Sequence, residues 1–172
     1  NVPHFSTNSV AEMAIGLMFA TNRKIALGDR EFRNGLVAVD PGTSEQARFS
    51  GFDLIGKTIG VIGLGDIGSR IAEIGNGIGM SVIAYNRTEK NLPDIKQVSL
   101  TELFEKADVV VLALALNDQT KGVITKELIE NMKKSVIFVS IAGLDLIDQD
   151  ALKNALNNDL VAGAGIDTAS QD

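Results

Sequence analysis

VIGLGDIGSR, residues 61–70, breaks an apolar run with three glycines and then resumes with apolar residues at helical spacing. Gly63, Gly65 and Gly68 form G-x-G-x-x-G between the apolar stretch TIGVIG and a segment in which Ile67, Ile71 and Ile74 fall on one helical face. Each glycine in such a turn has its own task. The first permits a tight turn, the second lets backbone approach an anion, and the third lets helix and strand pack closely. Backbone N–H groups at the helix start, with the positive end of the helix dipole, then suit a pyrophosphate. The competing reading is that the glycines only relieve crowding between strand and helix. SVIAYN beyond the helix reads as a second strand, which is the context a dinucleotide site requires.

Working outward, elements alternate in type. SLTE opens a short helix as a capping box, DVVVLALAL reads as a strand, TKELIENM as a helix, SVIFVSI as a strand, DQDALKNALNN as a helix and LVAGAGID as a last strand. Strands this continuous in Val, Ile, Leu and Ala need cover on both faces, as in a parallel sheet. The expected class is α/β, a Rossmann-type doubly wound parallel sheet. Ahead of it, SVAE reads as a capping box at Ser9, and Val10, Met13, Ala14, Leu17 and Met18 recur at helical spacing. Residues 35–52 carry no period and read as a loop. The division read here is a helical segment over 1–35 and a dinucleotide-binding domain over 36–172.

Composition narrows the function classes. The chain has 172 residues, 45% of them hydrophobic, and a formal charge of −6, which disfavours a nucleic-acid partner. Cysteine is absent, which removes disulfides, thiolate ligands and a thiol nucleophile and fits a reducing, cytoplasmic setting. No metal site is read, and VVVLALAL is too short to span a membrane.

The second strand runs into Asn86, Arg87 and Thr88. An acidic residue here would accept from ribose hydroxyls and repel a 2′-phosphate. A neutral Asn86 followed by a guanidinium suits that phosphate, so NADP is expected over NAD. The alternative is a solvated arginine with NAD bound.

Several segments together resemble the D-isomer-specific 2-hydroxyacid dehydrogenases, a family that includes phosphoglycerate, glyoxylate/hydroxypyruvate and D-lactate dehydrogenases. NSVAEMAIGLMFATNRKI is similar to the family's crossover helix, LIGKTIGVIGLGDIGSRIA to its cofactor fingerprint, and ADVVVLALALNDQTKGVI, VIFVSIAGLDLIDQDALKNAL and VAGAGIDT to its later strands. The resemblance implies hydride transfer between a nicotinamide cofactor and C2 of a small 2-oxo or 2-hydroxy acid, with a histidine as acid/base and an arginine clamping the carboxylate. It also implies a substrate domain built from flanks beyond this chain, and a homodimer in which the crossover helix meets a second subunit because it has few partners of its own.

By this resemblance Asp167 meets the nicotinamide carboxamide. Leu114, Ala115 and Leu116, with Ile141, Ala142 and Gly143, line the nicotinamide ribose, Thr120 follows the fourth strand, and Asp66 and Ile67 open the fingerprint helix. His4 falls at the wrong end of the chain for the catalytic histidine. The pattern breaks at the clamp, where Gly143 stands at the arginine position and Ser140 at an asparagine. No arginine follows Arg87. The family's catalytic glutamate falls at Asp172, one methylene shorter, and Ala113 and Ala115 replace a common histidine and proline. Two alternatives stay open: a catalytically degenerate dinucleotide-binding or sensing module, and a β-hydroxyacid dehydrogenase, which also uses an NRT segment but not the SVAE helix.

Overall fold

The structure is a computed structural model that describes residues 6–35, 40 and 42–167. Its elements in chain order are α1 (Thr7–Asn22), α2 (Ile25–Arg33), α3 (Ser44–Ala47), β1 (Thr58–Ile62), α4 (Asp66–Gly77), β2 (Ser81–Tyr85), β3 (Lys96–Gln97), α5 (Leu100–Lys106), β4 (Val109–Leu112), α6 (Lys126–Glu130), β5 (Ile137–Ser140), a 3₁₀ turn (Leu144–Leu146), α7 (Gln149–Asn157) and β6 (Gly163–Ile166). Among the described residues the strands form one six-stranded sheet in the order β3-β2-β1-β4-β5-β6, with every pairing parallel. The order reverses between β1 and β4. This is the doubly wound α/β arrangement that the sequence predicts.

Alternation along the strands explains the two layers. Ile59, Val61, Val109, Val111, Ile137 and Val139 face one way and pack with Ala11, Ala14 and Met18 of α1 and Ile71 and Ala72 of α4. Ile62, Val110, Leu112 and Phe138 face the other way, against Leu103 and Phe104 of α5, Ile129 of α6 and Leu152 of α7. Both faces of the central strands are dry, so no polar residue alternates along them.

Local signals set most boundaries. Ser99 accepts from the Glu102 N–H at 3.1 Å, as SLTE predicts, and Asp148 caps α7 by accepting from the Ala151 N–H at 2.9 Å. Where β1 and β4 begin, the Asp108 carboxylate accepts from the Thr58 N–H at 2.8 Å and from Lys133 Nζ at 2.9 Å. Partial burial pushes this carboxyl up, but the Thr58 amide and the Lys133 ammonium outweigh it and hold the group below the usual aspartate range.

Several expectations need correction. The first helix starts at Thr7 with Ser6 at its N-cap, so Ser9 already has helical backbone and SVAE is not its capping box. Its buried face is Ala11, Ala14 and Met18, while Met13 is 49% exposed. The alanines let α1 lie close against α4, β5 and β6, so the helix has ample partners within its own chain, contrary to the expectation. The 35–52 segment is also not all loop, since α3 lies within it. Finally, the strand read across DVVVLALAL ends at Leu112, because the chain must turn away where the sheet's edge is reached.

The run NSVAEMAIGLMFATNRKI is likewise interrupted: α1 ends at Asn22, and Lys24 adopts left-handed backbone (φ 54°) before α2 begins. Asn22, almost fully buried, explains the stop. Its Nδ2 donates to the Phe52 carbonyl at 2.7 Å and its Oδ1 accepts from the Phe52 N–H at 3.1 Å, pinning the incoming loop to the helix end.

Candidate functional site

The strands end level. Ile62 lies opposite both Tyr85 and Leu112, Leu112 opposite Ser140, and Ser140 opposite Ile166. The ladder runs one residue further at each junction: Gly63 N–H donates to the Tyr85 carbonyl (2.8 Å), Ala113 to Ile62 (2.9 Å), Ile141 to Leu112 (3.2 Å) and Asp167 to Ser140 (2.8 Å). Five loops therefore leave the sheet along one rim, on either side of the reversal between β1 and β4. In open α/β sheets this crevice is where ligands bind.

The glycine turn sits at its centre. Gly63 has φ +98°, and a Cβ there would lie 2.9 Å from both the Ala113 carbonyl oxygen and Leu114 Cδ2. Side-chain-bearing residues avoid such backbone, and the close contact brings the β1 and β4 loops together. At Gly68 a Cβ would lie 1.8 Å from the Gly63 carbonyl oxygen, so only glycine lets α4 begin this close to the turn. Gly65 differs. It is exposed, it is the N-cap of α4, and a Cβ there meets nothing within 4 Å. Neither strain nor crowding calls for glycine at 65, so relief of crowding does not account for all three. What remains is open space above the first turn of α4, where Asp66 and Ile67 lie, and backbone there can come close to a pyrophosphate.

On the β2 side, Asn86 braces the turn. Its Oδ1 accepts from the Leu64 N–H at 3.0 Å and its Nδ2 donates to the Thr88 carbonyl at 2.6 Å. Aspartate could accept but not donate, which gives the neutral residue a structural reason as well. Arg87 and Thr88 follow, exposed at the rim, and the Arg87 guanidinium donates to Gln119 Oε1. Lys90, which sequence reasoning passed over, places its ammonium on the Leu64 carbonyl. A second cation three residues after Arg87 was the available signal. Gln119 was also missed and carried no signal, because only the fold brings it within reach of β2.

On the other side, Leu114 is half-buried, Ala115 is exposed and Leu116 is 47% exposed. Thr120 fastens this loop by donating to the Ala115 carbonyl at 2.8 Å and accepting from the Asn117 N–H at 2.9 Å. Ile141 and Ala142 are half-buried at the end of β5, and Ser140 is fully buried, with its hydroxyl within 3.1 Å of the Ala142 carbonyl. Gly143 is exposed with φ −59°, and a Cβ there would rest 3.7 Å from Leu116 Cδ2. Position 143 thus accommodates a side chain without strain. Asp167 is exposed at the end of β6. Asp172 and His4 lie outside the described residues, so the rim brings together every sequence-derived site residue except Asp172. A groove of about 690 Å³ adjoins α4 from its first turn, lined by Asp66, Ser69, Arg70, Glu73, Leu92 and Pro93.

Residues 15–172 match the family described as D-isomer specific 2-hydroxyacid dehydrogenase, NAD binding domain. Among similar proteins, a glyoxylate reductase of Pyrococcus horikoshii is 36% identical over all of this chain and 53% of its own length. A hydroxypyruvate reductase of Thermotoga maritima is 37% identical over 97% of this chain and 53% of its own. Among solved structures, an acyclic imino acid reductase (Bsp5) in complex with NADPH and D-Arg superposes with a TM-score of 0.89 at 37% identity, covering 99% of this chain and 54% of that one. D-lactate dehydrogenase with NAD+ from Lactobacillus jensenii does so with a TM-score of 0.85 at 30% identity, covering 99% and 51%. The chain spans about half the length of the relatives it matches.

Proposed function

The chain belongs to the D-isomer specific 2-hydroxyacid dehydrogenases through their NAD-binding domain, and from that premise we propose that it holds a nicotinamide dinucleotide along its rim for the reduction of small 2-oxo acids or oxidation of 2-hydroxy acids. The observation that carries this reading is the open approach above Gly65 at the N-terminus of α4, flanked by level strand ends.

A bound nicotinamide would supply or accept the hydride exchanged with C2 of the acid. The chain's own residues bind and orient. The glycine turn takes the pyrophosphate, Arg87 with Thr88 and Lys90 takes the 2′-phosphate, and Leu114, Ala115, Leu116, Ile141, Ala142 and Gly143 flank the nicotinamide ribose. Asp167 accepts from the carboxamide. Proton transfer needs an acid/base that these leucines, alanines and glycines lack, and the resemblance assigns it to a histidine of the substrate domain.

NADP is favoured over NAD, because neutral Asn86 and cationic Arg87 stand where an acidic residue would accept from the ribose hydroxyls, with Lys90 offsetting the charge of Glu89. Glyoxylate, hydroxypyruvate and pyruvate are the substrates to offer. The protein acts in the cytoplasm as a homodimer. Support for the dimer is the exposed apolar surface of α1 and α2, where Phe32 is 72% and Ile25 56% exposed.

Titrating the protein with NADPH and NADH, followed by nicotinamide fluorescence, tests the cofactor reading. NADPH is expected to bind more tightly, and Arg87→Ala to weaken it about 10- to 100-fold, the worth of one charge-assisted contact. Failure to bind either nucleotide would overturn it.

Gly143 favours a second reading, a dinucleotide-binding module without turnover. Leu116 borders position 143 where the family's arginine stands, and Asp145 nearby adds charge of the wrong sign for a carboxylate. A wild type that binds NADPH but reduces none of the three acids, with activity gained by Gly143→Arg, selects this reading. Robust wild-type turnover rejects it.

A further inference from the structure

The contact between Arg87 and Gln119 joins two loops that are 32 residues apart in sequence and not adjacent in the sheet. Arg87 follows β2, Gln119 follows β4, and β1 with its glycine turn lies between them. The pair therefore reaches across the turn from one side to the other.

Gln119 is held for this task by its own loop. Its N–H donates to Asn117 Oδ1 at 2.9 Å, an Asx turn. The Thr120 and Lys121 N–H groups both donate to the Asn117 carbonyl at 3.0 Å, and Thr120 Oγ1 ties the Asn117 amide to the Ala115 carbonyl. The other end is braced as well, through Asn86 between Leu64 and Thr88. A flexible guanidinium is thus moored between two stiffened loops, and the mooring group is a neutral amide. An amide fixes direction without cancelling charge, so the remaining guanidinium N–H groups keep their full attraction for a dianion.

We infer that Gln119 is a positioning residue that aims Arg87 at the 2′-phosphate and thereby sets the choice between NADP and NAD. This rests on the cofactor reading above and assigns a residue on the opposite loop to it. A carboxylate at 119 would pair with Arg87 and cancel the charge it offers to the phosphate, whereas a methyl would only release the guanidinium.

The experiment measures NADPH and NADH dissociation constants for wild type, Gln119→Ala, Gln119→Glu, Arg87→Ala and Arg87→Ala/Gln119→Glu, with thermal melting of each. Gln119→Ala is expected to weaken NADPH about three- to tenfold, and Gln119→Glu at least about tenfold, while NADH stays within about twofold. In the Arg87→Ala background the glutamate should change the NADPH/NADH ratio by less than about threefold, because its action passes through Arg87. A loss of both nucleotides in parallel, or a ratio unmoved by either Gln119 variant, overturns the inference. If wild type prefers NADPH and Arg87→Ala removes that preference while both Gln119 variants leave it unmoved, the cofactor reading stands and the inference falls. If wild type shows no preference, the cofactor reading itself fails and this inference fails with it.

Discussion

Substitution of alanine at Gly65 and at Gly68 should separate binding from folding within one turn. At Gly65 the backbone is extended (φ −69°, ψ −170°) and a Cβ meets nothing within 4 Å. Replacing glycine by alanine at an N-cap costs about 0.5–1 kcal/mol. The reduced freedom of the unfolded chain offsets about 0.4–1 kcal/mol of that. The melting temperature should therefore move by no more than about 2 °C. The methyl group nevertheless occupies the space through which a pyrophosphate reaches the α4 amides. Loss of one or two charge-assisted contacts, each about 1.5–3 kcal/mol, weakens nucleotide binding at least about tenfold. Gly68→Ala behaves in the opposite way. Its Cβ would lie 1.8 Å from the Gly63 carbonyl oxygen and 2.9 Å from the carbonyl carbon, so backbone itself must move. The cost is about 3 kcal/mol, or a fall of about 6–12 °C for a chain of this size. Differential scanning fluorimetry gives the melting temperatures and NADPH fluorescence the affinities. Wild-type affinity in Gly65→Ala would refute the placement of the pyrophosphate, and an unchanged melting temperature in Gly68→Ala would refute the packing argument.

Asp108, whose folded-state pKa is depressed, contributes stability that is fully present above its unfolded value near 4 and is lost as pH falls through the lower folded value. Asp108→Asn should cost about 1–2 kcal/mol at pH 7 and flatten the acid limb of urea melts below the ordinary aspartate range; an unchanged limb rules out this linkage. Asn22→Ala leaves the Phe52 N–H and carbonyl without their partner, and chemical denaturation should show a loss of about 2 kcal/mol with the slope unchanged. At Gly165, a Cβ would lie 2.8 Å from Thr21 Oγ1 and 3.0 Å from Leu17 Cβ. Gly165→Ala should lift α1 from β6 and lower stability by about 1–3 kcal/mol, as read by calorimetry.

Sequence and structure agree most closely where the physics is local. Gly63 and Gly68 are required by backbone geometry a few residues wide, and Ser99 and Asp148 cap helices within one turn. The unbroken apolar runs of β4 and β5 report burial on both faces without reference to partners. Agreement fails where a distant element decides. The α1 face could not be read from periodicity alone, because Met13 and Met18 are equally apolar and only contact with β5, β6 and α4 selects Met18. Two-residue β3 carries no pattern of its own. Lys90 and Gln119 are ordinary surface residues in the sequence and acquire meaning from loops brought together by strand order.

The even height of the strand ends also bears on how such a scaffold changes over time. Each lip of the cleft hangs from its own strand, and the three around the glycine turn are tied to one another while the foundation beneath them is shared. Position 143, exposed and with ordinary backbone, takes a new side chain without moving the strands beneath it. Change at such an unstrained position then comes cheaply, whereas change at Leu64, Asn86, Arg87 or Gln119 demands coordinated alteration across the loops of three strands.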